Sequence, residues 1–220
     1  MNIVLLAATG RAGSVILNEL VSRGHNIIAV ARNLEKLPHN LPNNVKAEKD
    51  DLNSVERLRE IIKGADAVVS AFGPSSSDPR YVTDITYTDQ LVDVTKRVIA
   101  AVNGNGHSRL IVVGGVGSLE FSPGVTVLNS GYWPEAYVPI ATSHTKAFAA
   151  LKDSDINWTY FSPPMQIQPG ARTGKFRLGG EQLIKDKQGN SKISFEDYAV
   201  ALVDELENPK HERSRFTIGY

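Results

Sequence analysis

Short apolar runs without polar alternation are separated along this chain by amphipathic segments. The run from Ile3 to Ala8 is of this kind, and it is typical of a parallel strand covered on both faces. Ser14 to Arg23 follows with apolar residues at helical spacing, and Gly24 predicts the end of that helix. A second apolar run, Ile27 to Ala31, completes a strand–helix–strand unit of about 30 residues, the usual size of a βαβ unit.

The same alternation continues along the rest of the chain. Further strands are predicted at Val45 to Glu48, Ala67 to Ala71, Leu110 to Val113, Trp158 to Phe161 and Arg215 to Ile218. Further helices are predicted after Asn53 or Ser54 up to Gly64, from Asp89 to Asn103, from Ser143 to Lys152, and after Ser194, which forms a capping box with Asp197. Strands that alternate with helices predict an α/β fold, with a doubly wound, mainly parallel, Rossmann-like sheet in three α/β/α layers.

Three segments show neither the helical spacing of apolar residues nor the apolar runs of strands, and they are predicted to be irregular: residues 74–88, 118–141 and 163–182. Each follows the end of a predicted strand, where open α/β sheets bind their ligands. Long loops at such places are usually functional. We therefore expect a single domain over residues 1–220, in which these segments form the substrate side and a small C-terminal cap.

Composition narrows the classes of function. Among 220 residues, Lys plus Arg total 24 and Asp plus Glu total 24, so the chain lacks the basic excess of a nucleic-acid binder. The absence of Cys excludes disulfides, thiolate catalysis and Cys-ligated metals, and the five His residues show no ligand spacing for a metal. The apolar N-terminal run is too short for a membrane span and has no basic region before it. We expect a cytoplasmic protein with no nucleic-acid or membrane partner, and the oligomeric state stays open.

The turn after the first strand indicates a ligand. Residues 7–13 read AATGRAG between a predicted strand and a predicted helix. Gly10 and Gly13 fit the glycine that lets backbone approach a pyrophosphate and the glycine that lets helix meet strand. The helix start then offers free N–H groups and a positive dipole end to phosphates. The segment therefore predicts a dinucleotide-binding turn.

This turn resembles the GATGxxG turn of the atypical short-chain dehydrogenase/reductases, the NmrA-like and NAD(P)H–flavin reductase-like group. The resemblance extends over the chain, through segments 30–33, 51–52, 70–73, 155–159, 162–164 and 215–220 in the order of the family's landmarks. It implies a nicotinamide cofactor held by these residues: Ala8, Thr9, Gly10, Arg11, Ala12, Gly13, Arg32, Asp51, Leu52, Ser70, Ala71, Phe72, Gly73, Lys146 and Pro163.

The resemblance also implies individual roles. Asp51 would accept a hydrogen bond from the adenine amino group. An equally good explanation is that its carboxylate is favoured near the start of the next helix by the helix dipole. Residues 70–73 would pass under the nicotinamide ribose, Lys146 would bond the hydroxyls of that ribose, and Pro163 would lie near the nicotinamide. Arg11 lies near the phosphates in the family, and a solvated side chain is the alternative.

Two departures from the family pattern bear on the chemistry. Ala7 replaces the first glycine of the turn, and Thr142 stands four residues before Lys146, where the family has the Tyr of its Tyr-x-x-x-Lys pair. The Ser-Tyr-Lys mechanism therefore does not apply to this chain. The catalytic candidates are Lys146, Ser118 and His144. Ser118 lies near the position of the family's active-site Ser. His144 is expected to titrate near neutral pH and to donate a proton, and the alternative is a histidine that only packs in the fold or caps a helix.

The end of the second strand predicts the choice of cofactor. Sites that prefer NAD usually carry an Asp or Glu there, which binds the ribose 2′-hydroxyl. This chain has Arg32 followed by Asn33. The guanidinium group of an arginine favours a 2′-phosphate through charge-assisted, bidentate hydrogen bonds. We therefore expect NADP(H) to be favoured over NAD(H), with a surface arginine as the alternative.

The predicted function is an NADPH-dependent reductase of a small-molecule acceptor: a flavin, a quinone or a small carbonyl compound. Ketone reduction needs a placed acid for the developing alkoxide, so the missing Tyr favours a flavin-like or quinone-like acceptor. The alternative is a non-catalytic NADP-binding sensor of the NmrA type that binds a partner protein. A nucleotide-sugar epimerase or dehydratase is a weaker alternative, because such chains usually have a larger C-terminal substrate domain.

Overall fold

The fold was determined as a computed structural model that describes residues 1–104, Gly106 and residues 108–220. The strands are β1 Asn2–Leu6, β2 Asn26–Ala31, β3 Val45–Lys49, β4 Ala67–Ser70, β5 Arg109–Val113, β6 Glu120–Ser122, β7 Val125–Thr126, β8 Trp158–Ser162, β9 Gln166–Gln168, β10 Arg177–Gly179, β11 Lys192–Ser194 and β12 Ser214–Gly219. The α-helices are α1 Arg11–Ser22, α2 Val55–Ile62, α3 Arg80–Thr83, α4 Ile85–Thr88, α5 Gln90–Asn103, α6 Val138–Lys152 and α7 Phe195–Glu207, and 3-10 turns occupy Leu34–Lys36 and Glu135–Tyr137.

Eight strands form the main sheet in the order β10-β12-β8-β5-β4-β1-β2-β3. All neighbours are parallel except β10, which runs antiparallel to β12. The strand order reverses at β1, which pairs with β2 on one side and with β4 on the other. A crevice at the carboxyl ends of the strands is expected at such a switch point. The prediction of a doubly wound, mainly parallel Rossmann-like sheet is confirmed.

Two apolar cores lie on the two faces of this sheet. Ile3 and Leu5 face the core beneath α1 and α7, whereas Val4 and Leu6 face the core beneath α2, α5 and α6. All four side chains are buried. Because successive side chains of a strand point to opposite faces, a strand covered on both faces needs an apolar run without alternation. The predicted three layers are therefore present.

Serine side chains begin two of the helices. Ser54, one of the two predicted caps, accepts a hydrogen bond from the backbone N–H of Arg57 at 3.2 Å. Ser194 accepts one from the N–H of Asp197 at 3.0 Å. The predicted capping box is only half formed, because the Asp197 carboxylate does not bond back to Ser194. Instead it accepts hydrogen bonds from the backbone N–H groups of Thr173 and Gly174.

The prediction of irregular structure is wrong in parts of all three segments. Residues 74–88 contain α3 and α4, residues 118–141 contain the β6–β7 hairpin, and residues 163–182 contain β9 and β10. These elements are two to four residues long, too short to show a hydrophobic period. Helix α6 begins at Val138 rather than Ser143, because a proline such as Pro139 fits the first turn of a helix, where its missing N–H has no partner to lose. Strand β9 pairs with β11 in a separate small sheet.

Candidate functional site

A cleft of about 820 Å³ opens at the carboxyl ends of the parallel strands. The turns after β1, β2, β3, β4, β5 and β8 all contribute to its walls. The predicted site residues that line it are Thr9, Gly10, Arg11, Ala12, Arg32, Asp51, Leu52, Ala71, Phe72, Gly73, His144 and Pro163. The structure thus brings together residues that are distant in the sequence, at the place where the strand order reverses.

The other predicted site residues do not line the cleft. Ala8 in the turn after β1, Gly13 in the first turn of α1 and Ser70 at the end of β4 are buried. The Ser118 hydroxyl accepts a hydrogen bond from Arg215 Nη1 at 2.8 Å. Lys146 Nζ lies 2.7 Å from an Asp89 carboxylate oxygen. Ser118 and Lys146 are therefore engaged with protein side chains outside the cleft wall.

The turn after β1 is tight. Ala7, in the place of the first glycine, has a φ of 59°, in the left-handed region that favours glycine. Its carbonyl oxygen accepts a hydrogen bond from the Gly10 N–H at 3.0 Å. A Cβ atom on Gly13 would lie 2.2 Å from that same oxygen, so only glycine fits there. The turn therefore places the start of α1 directly against the end of β1.

The N-terminus of α1 has the chemistry of a phosphate site. No side chain caps it, in contrast to α2 and α7. In the part of the chain that the structure describes, the backbone N–H groups of Arg11, Ala12 and Gly13 make no hydrogen bond. Such N–H groups, together with the positive end of the helix dipole, bind phosphate oxygens. These donors fit the pyrophosphate of a dinucleotide, as does the volume of the cleft.

Three basic residues border the cleft. Arg11, Arg32 and Lys36 are exposed, and none of them forms an ion pair with another described residue. Asp51 lies nearby, and its carboxylate accepts hydrogen bonds from the backbone N–H of Asn53 at 3.1 Å and from its side-chain amide at 2.8 Å. The three basic side chains remain available to an anionic ligand.

Family comparison agrees with this geometry. A family model described as NAD(P)H-binding matches residues 7–209. The chain belongs to this NAD(P)H-binding family. Among related sequences, the uncharacterized protein YwnB of Bacillus subtilis strain 168 is 35% identical over 222 residues, which is 99% of this chain and 98% of that protein.

Solved structures of similar proteins share the fold of this family member. A proposed epimerase from Bacteroides thetaiotaomicron is 41% identical with a TM-score of 0.88, over 100% of this chain and 96% of the other. A proposed NADH-flavin reductase from Streptococcus pneumoniae TIGR4 is 30% identical with a TM-score of 0.85, over 100% and 99% of the two chains. The resemblance to Rossmann-fold reductases that the sequence indicates is therefore confirmed.

His144 is the titratable side chain that α6 brings to the cleft of this family member. Its Nδ1 lies 3.4 Å from the hydroxyl of Tyr160, a buried residue of β8. A Cβ atom on Gly115 would lie 2.6 Å from the His144 Cβ, so the glycine after β5 makes room for the histidine. Burial lowers the pKa of His144 to about 4. The imidazole is therefore neutral at pH 7 and does not act as a charged acid, contrary to the expectation of a titration near neutrality.

Lys146 lies two positions further along the same helix and takes a different environment. Burial raises the pKa of Asp89, but hydrogen bonds from Lys146 and from the Ser143 hydroxyl outweigh this effect and hold the pKa below its ordinary value. The Ser143 hydroxyl is 2.7 Å from Asp89 Oδ1. These contacts tie α6 to the start of α5. The role of Lys146 as a ribose-binding and catalytic residue stays a prediction.

Several residues of the cleft wall were missed by the sequence analysis. Three of them lie in elements of three or four residues: Lys36, Tyr81 and Ile167. Ile140 lies in the extra turn of α6, and Phe195 and Tyr198 lie in the first turn of α7, a helix that the sequence predicts. Ile140 precedes His144 by one helical turn, so a helix predicted from Val138 would have placed both on one face. The sequence carried no periodic signal for Ile167, which lies in the three-residue strand β9. Apart from Lys36, these residues add apolar and aromatic surface to the cleft.

Neither a metal centre nor a membrane segment emerges from the described residues. Within them, no three His, Asp or Glu side chains are arranged to hold a metal ion. One of the five histidines considered in the sequence, His107, lies outside the described residues. No helix of the described chain has both the length and the apolar character that crossing a membrane requires.

Proposed function

We propose that this chain is an NADPH-preferring oxidoreductase that reduces a flavin, with quinones and small carbonyl compounds as the other candidate acceptors. Membership of the NAD(P)H-binding family supports a nicotinamide cofactor. The preference for NADPH rests on one observation: Arg32 and Lys36 border the cleft without ion-pair partners among the described residues. Two cations beside the end of β2 match the 2′-phosphate, which NADH lacks.

The remaining residues suit the rest of the cofactor. The free N–H groups at the start of α1 would bind the pyrophosphate, and Thr9 and Gly10 would lie against it. Asp51 would accept a hydrogen bond from the adenine amino group, and Ala71 to Gly73 would pass beside the nicotinamide ribose. Pro163, at the end of β8, would border the nicotinamide ring. When bound, the reduced nicotinamide supplies a hydride, while the protein positions the two reactants.

The acceptor side supports a planar, largely apolar molecule. Ile140 and Phe195 are buried side chains that line the cleft, and Ile167 is partly buried there. The neutral His144 offers hydrogen bonding without a charge. A flavin needs no strong acid from the protein, because its ring delocalises the charge that hydride transfer delivers and water can supply the proton. The Streptococcus pneumoniae relative is named as a proposed NADH-flavin reductase, which supports the same class of acceptor.

The cofactor preference is tested by the dissociation constants of NADPH and NADH. A charge-assisted pair contributes about 1.5–3 kcal/mol, so we expect the native chain to bind NADPH about 10- to 100-fold more tightly than NADH. Arg32→Glu should remove that difference or reverse it. The matched control is Lys63→Glu, because Lys63 lies at the opposite edge of the sheet beside Asn2 and Asn26. Tighter binding of NADH by the native chain would contradict the proposal.

The reaction is tested by the oxidation of NADPH in the presence of FMN, FAD, riboflavin, quinones and aldehydes. We expect flavins to support the highest kcat/KM. The absence of turnover with every acceptor would refute a reductase. If NADPH still binds tightly in that case, the result would favour the alternative, an NADP-binding sensor, and a partner protein that binds only with NADP(H) would then support it.

A further inference from the structure

Tyr81 brings a hydroxyl group to the cleft from the segment that follows β4. Its ring packs against an apolar cluster that includes Ile140 of α6, and Phe72 packs against the same cluster. All three of these residues line the cleft. The ring of Tyr81 is therefore anchored on the cleft wall.

The Tyr81 hydroxyl is available to a ligand. In the described part of the chain it makes no hydrogen bond, and it is not among the buried side-chain atoms that lack a partner. The side chain is only partly buried, so the hydroxyl oxygen is accessible. Tyr87 in the same segment differs, because its hydroxyl donates to the Ser75 carbonyl oxygen at 3.4 Å. Of these two tyrosines, Tyr81 is the one whose hydroxyl can bind a group in the cleft.

The charge of Arg11 acts on this hydroxyl. Burial raises the pKa of Tyr81 above its ordinary value, and the positive charge of Arg11 works in the opposite direction. The phenol therefore keeps its hydrogen at neutral pH and can donate it. Arg11 is exposed at the start of α1 and lines the same cleft. A neutral donor and a guanidinium group are thus close enough to interact, beside the free N–H groups of α1.

We propose that Tyr81 is a cofactor-binding residue that donates a hydrogen bond to a pyrophosphate oxygen of the bound dinucleotide, beside the guanidinium group of Arg11. This inference rests on the proposed function, because that function supplies the dinucleotide. The N–H groups at the start of α1 provide backbone donors for the pyrophosphate, and Tyr81 adds a side-chain donor from the segment after β4. Hydrogen bonds to a charged oxygen are about twice as strong as those between neutral groups, so one hydroxyl makes a measurable contribution.

The segment that carries Tyr81 is braced by its own contacts. Arg80 donates two hydrogen bonds to the Asp78 carboxylate, at 3.0 and 2.8 Å. The Thr88 hydroxyl lies 2.8 Å from the Ser143 hydroxyl, which ties the end of the segment to α6. A donor that is held in place before binding loses less conformational freedom when the ligand arrives. Tyr81 is therefore positioned for a phosphate before the dinucleotide binds.

The first test removes the hydroxyl and compares three ligands by calorimetric titration of the full chain. Tyr81→Phe should raise the Kd of NADPH about tenfold, and equally that of 2′-phospho-ADP-ribose, which keeps the pyrophosphate but lacks the nicotinamide. The Kd of 2′-AMP, which has no pyrophosphate, should not change. The matched control is Tyr132→Phe, because Tyr132 is 72% exposed and does not line the cleft. This variant should bind all three ligands as the native chain does.

Three results would overturn the role of Tyr81. The first is an unchanged Kd of NADPH in Tyr81→Phe. The second is an equal weakening of 2′-AMP, which would show a general disturbance of the site. The third is a lower kcat with a flavin at an unchanged Kd of NADPH, which would place the hydroxyl against the acceptor instead. Tyr81→Phe should keep the native Tm, because the hydroxyl has no hydrogen-bond partner in the described chain.

The second test asks whether Tyr81 and Arg11 act on the same group. In an Arg11→Gln background, Tyr81→Phe should weaken NADPH binding by a factor different from that in the native chain, since two donors to one phosphate are coupled. Independent effects of the two substitutions would contradict a shared phosphate.

The proposed function fails separately. If the native chain binds NADH more tightly than NADPH, the cofactor preference is refuted, and the same comparison with NADH, ADP-ribose and adenosine decides the role of Tyr81. A native chain that binds neither NADPH nor NADH would refute the proposed function, and the role of Tyr81 with it.

Discussion

The low pKa of His144 predicts a specific loss of stability in mild acid. Burial lowers this pKa from 6.5 to about 4 in the folded chain, whereas the unfolded chain keeps the ordinary value. Between these two values the unfolded state binds a proton that the folded state does not. The free energy of unfolding must therefore fall as the pH is lowered from about 7 toward 4, and it must rise with pH through the same window.

The size of the effect follows from the two pKa values. A full shift from 6.5 to about 4 corresponds to about 3 kcal/mol, at about 1.4 kcal/mol for each pH unit. Between pH 7 and pH 5, where most carboxylates keep their charge, the linkage relation gives a loss of about 2 kcal/mol. His144→Gln removes the titrating group while keeping a polar side chain of similar length. The variant should therefore lack this part of the pH dependence.

Urea denaturation followed by circular dichroism at pH 5, 6 and 7 measures both proteins. The other histidines and all the carboxylates are common to the two, so the difference between their pH dependences isolates His144. We expect the native chain to lose about 2 kcal/mol more than His144→Gln between pH 7 and pH 5. Equal pH dependences, within about 0.5 kcal/mol, would show that His144 is not desolvated and would refute the reasoning.

Three further substitutions test the turn and the Asp197 contacts. Ala7→Gly should raise the free energy of unfolding by up to about 1 kcal/mol in urea denaturation, because glycine adopts the positive φ of this position without strain. A destabilised variant would contradict this explanation. Gly13→Ala should weaken NADPH binding at least about tenfold in fluorescence titration. The new methyl group would displace the Ala7 carbonyl and with it the start of α1. An unchanged Kd would show that the start of α1 is not displaced. Asp197→Asn should lower the free energy of unfolding by about 2–3 kcal/mol, because Oδ2, which accepts hydrogen bonds from the hydroxyls of Thr173 and Tyr220, becomes an NH2 donor and the charge is lost. A loss below about 0.5 kcal/mol would show that these contacts are dispensable.

The sequence predicts the parts of the fold that depend on long periodic segments. Apolar runs such as Ile3 to Ala8 and helices such as α5 have the length that makes a period visible, and the structure contains them. Strands β9 and β10 have three residues each, so no period could reveal them. The start of α6 was missed because Pro139 resembles a loop residue in the sequence, although it is compatible with a first helical turn.

The residues of the candidate site likewise fall into those that the sequence predicts and those that it does not. Gly10, Gly13 and Arg32 follow strands and are placed by the sheet topology, which the sequence determines well. Tyr160 and its contact with His144 depend on how α6 packs over β5 and β8, and no spacing in the sequence encodes a contact between a helix and a strand of that kind. The same packing engages Lys146 with Asp89, a pairing that the family resemblance did not imply.

The position of β12 in the sheet has a consequence for the order of folding. This strand lies between β8 and β10, and in the main sheet β10 pairs with β12 alone. Residues 177–179 therefore cannot join the sheet until residues 214–219 have paired with β8, which is a slow step because it closes a long loop.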